Sequence, residues 1–293
     1  MSAGRAPAVA EGPRDEEPAG RFRGASDVRL VASQVYFEQL NFWLNPVAAI
    51  FTLGFSVVFL VLLGASAGNG HSSVLGGIRV VQYYVPGFIA YGVMAACFNS
   101  LCISLVVRRE TGLLKRARLA PLPTWVLLAA IFVSTLVICA IQVVILLAIG
   151  KLGYHVTLPT DWGAFVVALV VGAACFTALG AAMSTLIPNQ DAAGPIVSVV
   201  FFVLLFLSGL WYPIDPKSGL AHFASFFPVR HMILAVFAPF HFAGSRSAWA
   251  WHDYVVMAVW GAAGVVVAAR RWSWSPRRSD RLGQRPRLWS RTA

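Results

Sequence analysis

Six stretches of this chain, 46–64, 83–107, 125–149, 162–187, 192–211 and 252–269, carry no charged residue in their interior. Each is close to the roughly 20 apolar residues needed to cross the hydrocarbon core as a helix. With no water there to satisfy backbone N–H and C=O groups, uniformly apolar segments of this length pair them internally. The pattern predicts an all-α integral membrane protein with six spans. Two further segments break the rhythm. Residues 27–44 read DVRLVASQVYFEQLNFWL, with Val28, Val31, Val35, Leu40 and Trp43 at roughly helical spacing and Arg29, Gln34, Glu38 and Asn41 between them. This predicts an N-terminal amphipathic helix lying in the interface, capped by Asp27 and ended at Asn45-Pro46. The other reading is a cytosolic extension of the first span. Between Tyr212 and Trp251 the chain is too polar to cross but dense in aromatic residues. It predicts short helices that dip into the outer leaflet and return.

Composition supports the membrane reading. Charged residues make up 12% of the chain and hydrophobic ones 58%, where a water-soluble domain carries about 25% charged residues. Mean hydropathy is +0.71. The charges that remain are placed unevenly. Of the 23 Lys and Arg residues, five precede the first span, five lie in the loop after the second, eight follow the sixth, and five occupy the remaining loops. The positive-inside rule puts the larger set, and both termini, in the cytosol. The net charge of +11 therefore belongs to membrane topology and anionic headgroups, and no nucleic-acid module accompanies it. Residues 1–25 read as a disordered cytosolic tail, 26–275 as one membrane domain, and 276–293 as a basic cytosolic tail. Cys97, Cys102, Cys139 and Cys175 fall inside spans and read as small buried side chains rather than a disulfide framework.

The loop after the second span is the most informative polar segment. Val107 to Pro123 reads VRRETGLLKRARLAPLP, too polar to enter a bilayer and too short to fold alone. Arg108 and Arg109 mark the end of the membrane-crossing stretch. From Glu110 to Leu119 the residues favour a helix apart from Gly112, and Pro121 and Pro123 stop it. Leu113 and Leu114 share a side with Ala117, flanked by Lys115, Arg116 and Arg118. Such a leucine pair on a short basic helix favours a protein contact over an ordinary loop touching lipid headgroups. The very short turn at 187–191, which includes Asn189 and Gln190, is a second contact point on the same side. Gly194-Pro195 just beyond it should weaken or kink the start of the fifth span. Inside the second span, Asn99 is either interhelical glue or a group facing a cavity.

Missing features narrow the function. No span carries a charged residue in its middle, which disfavours an ion-coupled carrier. There is no G-x-x-x-x-G-K-[ST] loop; Gly150-Lys151-Leu152 lacks the upstream Gly and the hydroxyl. The six histidines sit in outer loops or at span ends without metal-ligand spacing, and no catalytic set shares one membrane depth.

Four motifs in order, Phe42-Trp43-Leu44-Asn45-Pro46, Tyr83-Tyr84-Val85-Pro86-Gly87, the R-E-x-G-x-L-K-R-x-R-x-x-P-L-P hairpin, and FLSGLWYP (206–213) with FPVR (227–230), resemble the type 2 ATP-binding-cassette (ABC) export permeases. In wording they are most similar to the daunorubicin-resistance drug-export type. The resemblance implies a permease in the plasma (inner) membrane, working with a second permease copy or a paralogue. It also implies two copies of a separate ABC ATPase subunit that bind ATP and Mg; this chain itself would bind no cofactor and catalyse nothing. Arg108, Arg109, Glu110, Gly112, Leu113, Leu114, Lys115, Arg116, Pro121, Pro123, Asn189 and Gln190 would couple to the ATPase. Spans two and five would line the pathway, with Tyr91, Met94, Phe98 and Asn99 opposite Ser198, Phe201, Phe202 and Leu205. The segment between spans five and six would form an extracellular re-entrant lid. A mostly apolar wall suits an amphipathic or lipid-like cargo. Polysaccharide or glycolipid export within the same family, an ion-coupled carrier and a non-transporting scaffold are the alternatives.

Overall fold

The computed structural model describes residues 25–67, 70, 77–112, 124–211, 218–240 and 247–271. Within them every regular element is a helix. α1 (Ala25–Trp43) is followed by α2 (Pro46–Ala49), which passes through a π-helical turn (Ile50–Gly54) into α3 (Phe55–Ala67). α4 (Val80–Met94) likewise continues through a π turn (Ala95–Ser100) into α5 (Leu101–Glu110). α6 (Thr124–Ala148) ends in a third π turn (Ile149–Gly153), and α7 (Trp162–Ser184) and α8 (Gln190–Ser208) follow. Two short helices, α9 (Gly219–Ala224) and α10 (Pro228–Phe237), precede α11 (Trp251–Arg271).

Five of these helical runs are long and apolar enough to cross a membrane: Val80–Glu110, Ala129–Gly153, Trp162–Ser184, Gln190–Ser208 and Trp251–Arg271. The first predicted span is helical, but its apolar stretch, Thr52–Ser66, is shorter. Burial ranks the five. In Val80–Glu110 78% of the apolar window is buried, against 28% in Trp251–Arg271, so the second predicted span is the central helix and the last is peripheral. Lipid tails offer no hydrophobic drive for helices to associate, so small residues let backbones approach. A Cβ added at Gly264 of α11 would stand 2.9 Å from the carbonyl carbon of Ala178 on α7, and one at Gly180 of α7 would stand 2.8 Å from the Cys97 carbonyl oxygen. Polar side chains add interhelical bonds: Gln142 donates to Ser56 Oγ at 2.8 Å, and the hydroxyls of Thr52 and Ser100, each in a π turn, meet at 3.2 Å.

α1 sits between the bundle and its surroundings. Tyr36, Phe37, Leu40 and Trp43 are exposed, while Gln39 turns inward and donates to the Ser134 carbonyl at 2.7 Å and its hydroxyl at 2.9 Å on α6. The predicted stripe is thus divided: Val31 and Val35 are half-buried, and Val28, Leu40 and Trp43 face out.

Two features differ from expectation. The helix carrying the second span does not stop before Arg108; it runs to Glu110 because both arginines find partners inside the fold. Gly112 then adopts φ +72°, a left-handed backbone that glycine reaches without strain, and its N–H bonds the Arg109 carbonyl at 3.2 Å. Of the helix expected over 110–119, the described residues reach only as far as Gly112, and residues 113–123 lie outside them. α8 is unbroken through Gly194-Pro195. A proline clashes with the Cβ of the residue before it, and Gly194 has none.

Between α8 and α11, Pro228 takes the first position of α10. Its side chains Val229, Met232, Ala235 and Val236 have no exposed surface. α10 is therefore built into the bundle, packed against α4, α7, α8 and α11.

Candidate functional site

The end of the bundle that carries Arg108 and Arg109 is assembled from three elements by two neighbouring side chains pointing different ways. Arg108 forks onto the carboxylate of Glu38 on α1, at 2.6 and 2.5 Å, and its Nε donates to Ser104 Oγ one turn earlier at 3.1 Å. A planar guanidinium meeting a carboxylate in two parallel bonds is among the stronger polar contacts a protein makes. Arg109, with 5% of its surface exposed, reaches in the other direction. It donates to the carbonyls of Ser184 at 3.1 Å, Ile187 at 2.7 Å and Pro188 at 3.4 Å. Its Nε lies 3.7 Å from Glu110 Oε1.

The Arg109 contact completes an account of the α7 terminus. The last four carbonyls of a helix have no intrahelical partner. Here Ala181 accepts from the Ser184 hydroxyl, Ala182 from the N–H and hydroxyl of Thr185, and Met183 from the Leu186 N–H. The fourth, Ser184, accepts from Arg109. Beyond the turn, Asn189 caps α8 by accepting from the Ala192 N–H at 2.9 Å, and Gln190 is exposed at its start. Arg109 thus fastens the end of α5 to the turn at 185–189. Leu113, Leu114, Lys115, Arg116, Pro121 and Pro123 lie outside the described residues.

Five of the eight residues named for the pathway, Tyr91, Met94, Phe98, Phe201 and Leu205, are buried in the bundle interior. Tyr91 and Phe98 stand 5.6 and 6.5 Å, centroid to centroid, from Phe201 on α8. Phe55 stacks on Tyr91 at 5.1 Å, and Phe59 meets Trp211 at 5.5 Å. The result is a column of rings running from Trp211 to the π turn, contributed by α3, α4, α8 and the residues just beyond α8. Met94 and Leu205 are buried beside it, Ser198 is half-buried, and Phe202 faces outward, 56% exposed. Asn99 lies in the π turn with its side-chain carbonyl buried and without a hydrogen-bond partner among the described residues. π turns of this kind are frequent at functional positions.

The opposite end of the bundle holds a buried histidine. His231 on α10 has 3% of its surface exposed. Its Nδ1 lies 2.6 Å from Asp253 Oδ1 on α11 and its Nε2 lies 2.7 Å from the Ser225 carbonyl. Both neighbours are acceptors, so with the carboxylate ionised both ring nitrogens carry protons. Burial alone would lower the imidazole pKa, but the bonds to Asp253 and to the Ser225 carbonyl outweigh it and raise the value. No cluster of three or more metal-ligating side chains occurs among the described residues.

Residues 77–270 match the ABC-2 family transporter protein family. The chain belongs to that family. The matched range includes both arginines, the turn at 185–189, and the α4 and α8 members of the ring column; α1 and α3 precede it. The chain is also similar to the probable multidrug ABC transporter permease YbhR of Escherichia coli strain K12, 26% identical over 150 residues, and to the same-named protein of Escherichia coli O157:H7 at equal identity. The aligned stretch spans 51% of this chain and 41% of the length of those relatives.

For an ABC-2 protein, reading the sequence located the polar hairpin but missed what holds it. Glu38 registered only as an interruption in an apolar helix; a carboxylate there was the available signal for a basic partner. Phe55, Phe59 and Trp211 were not connected to the column, since their neighbours are distant in sequence. Nothing local marked Arg109 as different from Arg108.

Proposed function

We propose that this chain is the membrane subunit of an ATP-driven exporter for amphipathic or apolar compounds, with ATP bound and hydrolysed by a separate ATPase chain present in two copies. The observation that carries the reading is the fastening at Arg108 and Arg109. A push on the hairpin at 108–123 reaches α1 through Glu38 and the α7–α8 turn through Arg109, so one contact moves three elements. The central helix that bears the hairpin also bears Tyr91 and Phe98, which joins the pushed end to the ring column. A wall of rings with one unpaired amide carbonyl suits apolar or amphipathic cargo, and family membership together with a relative named as a probable multidrug permease supports this class. The exposed stripe on α8, Ile196, Val199, Val203 and Phe206, fits a second permease copy. α1, apolar on its outer face and polar toward the bundle, suits the cytosolic interface of the plasma membrane, the helix 46–67 supplies a sixth span, and α9 and α10 cover the exit as a lid.

The test is gentle detergent purification from the native membrane, followed by assay for a stoichiometric ATPase. The expected result is a co-purifying ATPase lost when Glu110 and Arg116 are both reversed in charge, while the chain stays folded. A chain that emerges alone, folded and inert would overturn the reading in favour of a carrier or a scaffold.

A further inference from the structure

A groove of about 690 Å³ runs between α6 and α7, away from the ring column. α6 packs mainly on α1 and α4, and α7 mainly on α11, so α6 and α7 lean apart and leave the space between them unfilled by protein. Leu136, Val143 and Leu147 form one wall and Phe165 and Leu169 the other. The only ionisable ammonium on it is Lys151, in the π turn that ends α6, with the Trp162 indole across the mouth. Both side chains are exposed. Lys151 forms no ion pair with any described residue, and the nearby Asp161 Oδ1 is taken by the Ala164 N–H that it caps at 3.0 Å.

These features select one kind of occupant. Leu136 to Lys151 is fifteen helical rises, about 22 Å of groove, which reaches past the middle of a hydrocarbon core about 30 Å thick. A sugar or a peptide would bury polar groups against a wall that returns no hydrogen bonds. An acyl chain fills the space without that cost. At the mouth, an ammonium on a flexible stem beside an indole stands at headgroup depth, where such side chains meet phosphate. We infer that the α6–α7 groove is a binding site for one bilayer phospholipid, its chain between the two helices and its phosphate on Lys151. The site stands whether or not the chain exports drugs, because it uses neither the hairpin nor the column.

Native mass spectrometry of the full-length protein, exchanged into detergent with phosphatidylglycerol and then washed, tests this directly. One retained phospholipid per chain is expected. Lys151→Glu should lower retention at least about fivefold, the worth of one cation near phosphate, and Ala140→Trp, which fills the groove from an exposed position, should abolish it. Arg271→Glu, an exposed cation elsewhere, should change nothing. Retention equal in all variants would overturn the site. Independently of how the variants fold, a phospholipid with a diazirine in its acyl chain should label the wild-type protein within 136–147 and 165–170. Label spread evenly over exposed Val58, Val199 and Val259 would sink the proposal, as would cysteine cross-linking that shows a second copy of the chain seated on Ala140.

Discussion

The two ends of this bundle each bury a basic side chain, and they hold it differently. Arg109 is surrounded by backbone carbonyls of one distant turn, and its charge is permanent at any working pH. His231 faces a carboxylate and a single carbonyl, and its charge depends on its surroundings. Removing either leaves acceptors without donors in a place water reaches poorly, where the desolvation penalty of each orphan is felt. The permanent cation sits where the proposed partner pushes. The titratable one joins α10 to α11 at the other face. One fastener is built for constant connection, and the other for connection set by conditions.

The largest effect is expected at Arg109. Arg109→Ala strips the donors from Ser184, Ile187 and Pro188 and should cost about 3 kcal/mol, within the range for hydrogen bonds to charged groups; unfolding in mixed micelles would report it. Asp253→Asn should cost about 2 kcal/mol by the same reasoning, because it replaces a charge-assisted bond with a neutral one. If the two losses prove equal and insensitive to pH, the contrast between the ends collapses. Arg109→Lys sharpens the comparison. A lysine keeps the charge but lacks the fork needed to reach several carbonyls together, so about 1 kcal/mol of stability should go while the fold survives. If the coupling proposal holds, stimulation of the partner's ATP hydrolysis by cargo should fall further than that stability loss suggests.

Glu38→Gln tests the neighbouring arginine and should cost about 1 kcal/mol, since Arg108 retains Ser104 and a neutral acceptor. Smallest is the pH effect. Burial and the Arg230 charge pull the His231 pKa down, but the bonds to Asp253 and the Ser225 carbonyl outweigh them and raise it in the folded chain. Its contribution to stability is therefore complete below the ordinary imidazole value of about 6.5 and drains away as pH rises through the raised value. Thermal unfolding from pH 6 to pH 9 should show that decline in the wild type and a flatter profile in His231→Gln.

Much of the fold was legible because membrane helices announce themselves through composition. Runs such as 162–187 and 252–269 needed only length and the lack of charge beyond their first turn. Boundaries were harder. A rule that ends a span at the first arginine fails at Arg108, where the helix continues because a carboxylate 70 residues earlier receives the charge. Arg109 is subtler still, since its acceptors begin 75 residues later and are backbone atoms, which carry no mark in the sequence. The π turns at Ile50–Gly54, Ala95–Ser100 and Ile149–Gly153 share no common composition. Gly112 was visible as the odd residue in a helix-forming run, and its left-handed backbone gives that oddity its meaning.

The central helix has a mechanical consequence. Val80–Glu110 spans 31 residues, about 46 Å at 1.5 Å per residue, which is half as long again as the oily slab it crosses. Such a rod works as an oar. Gripped near Arg109 and swung by about five degrees, its far end beside Tyr83 would sweep about 3.4 Å, close to a carbon–carbon contact distance. Tyr83 donates its hydroxyl to the Gly209 carbonyl at 2.6 Å, so the stroke arrives at the tail of α8 with little slack to lose.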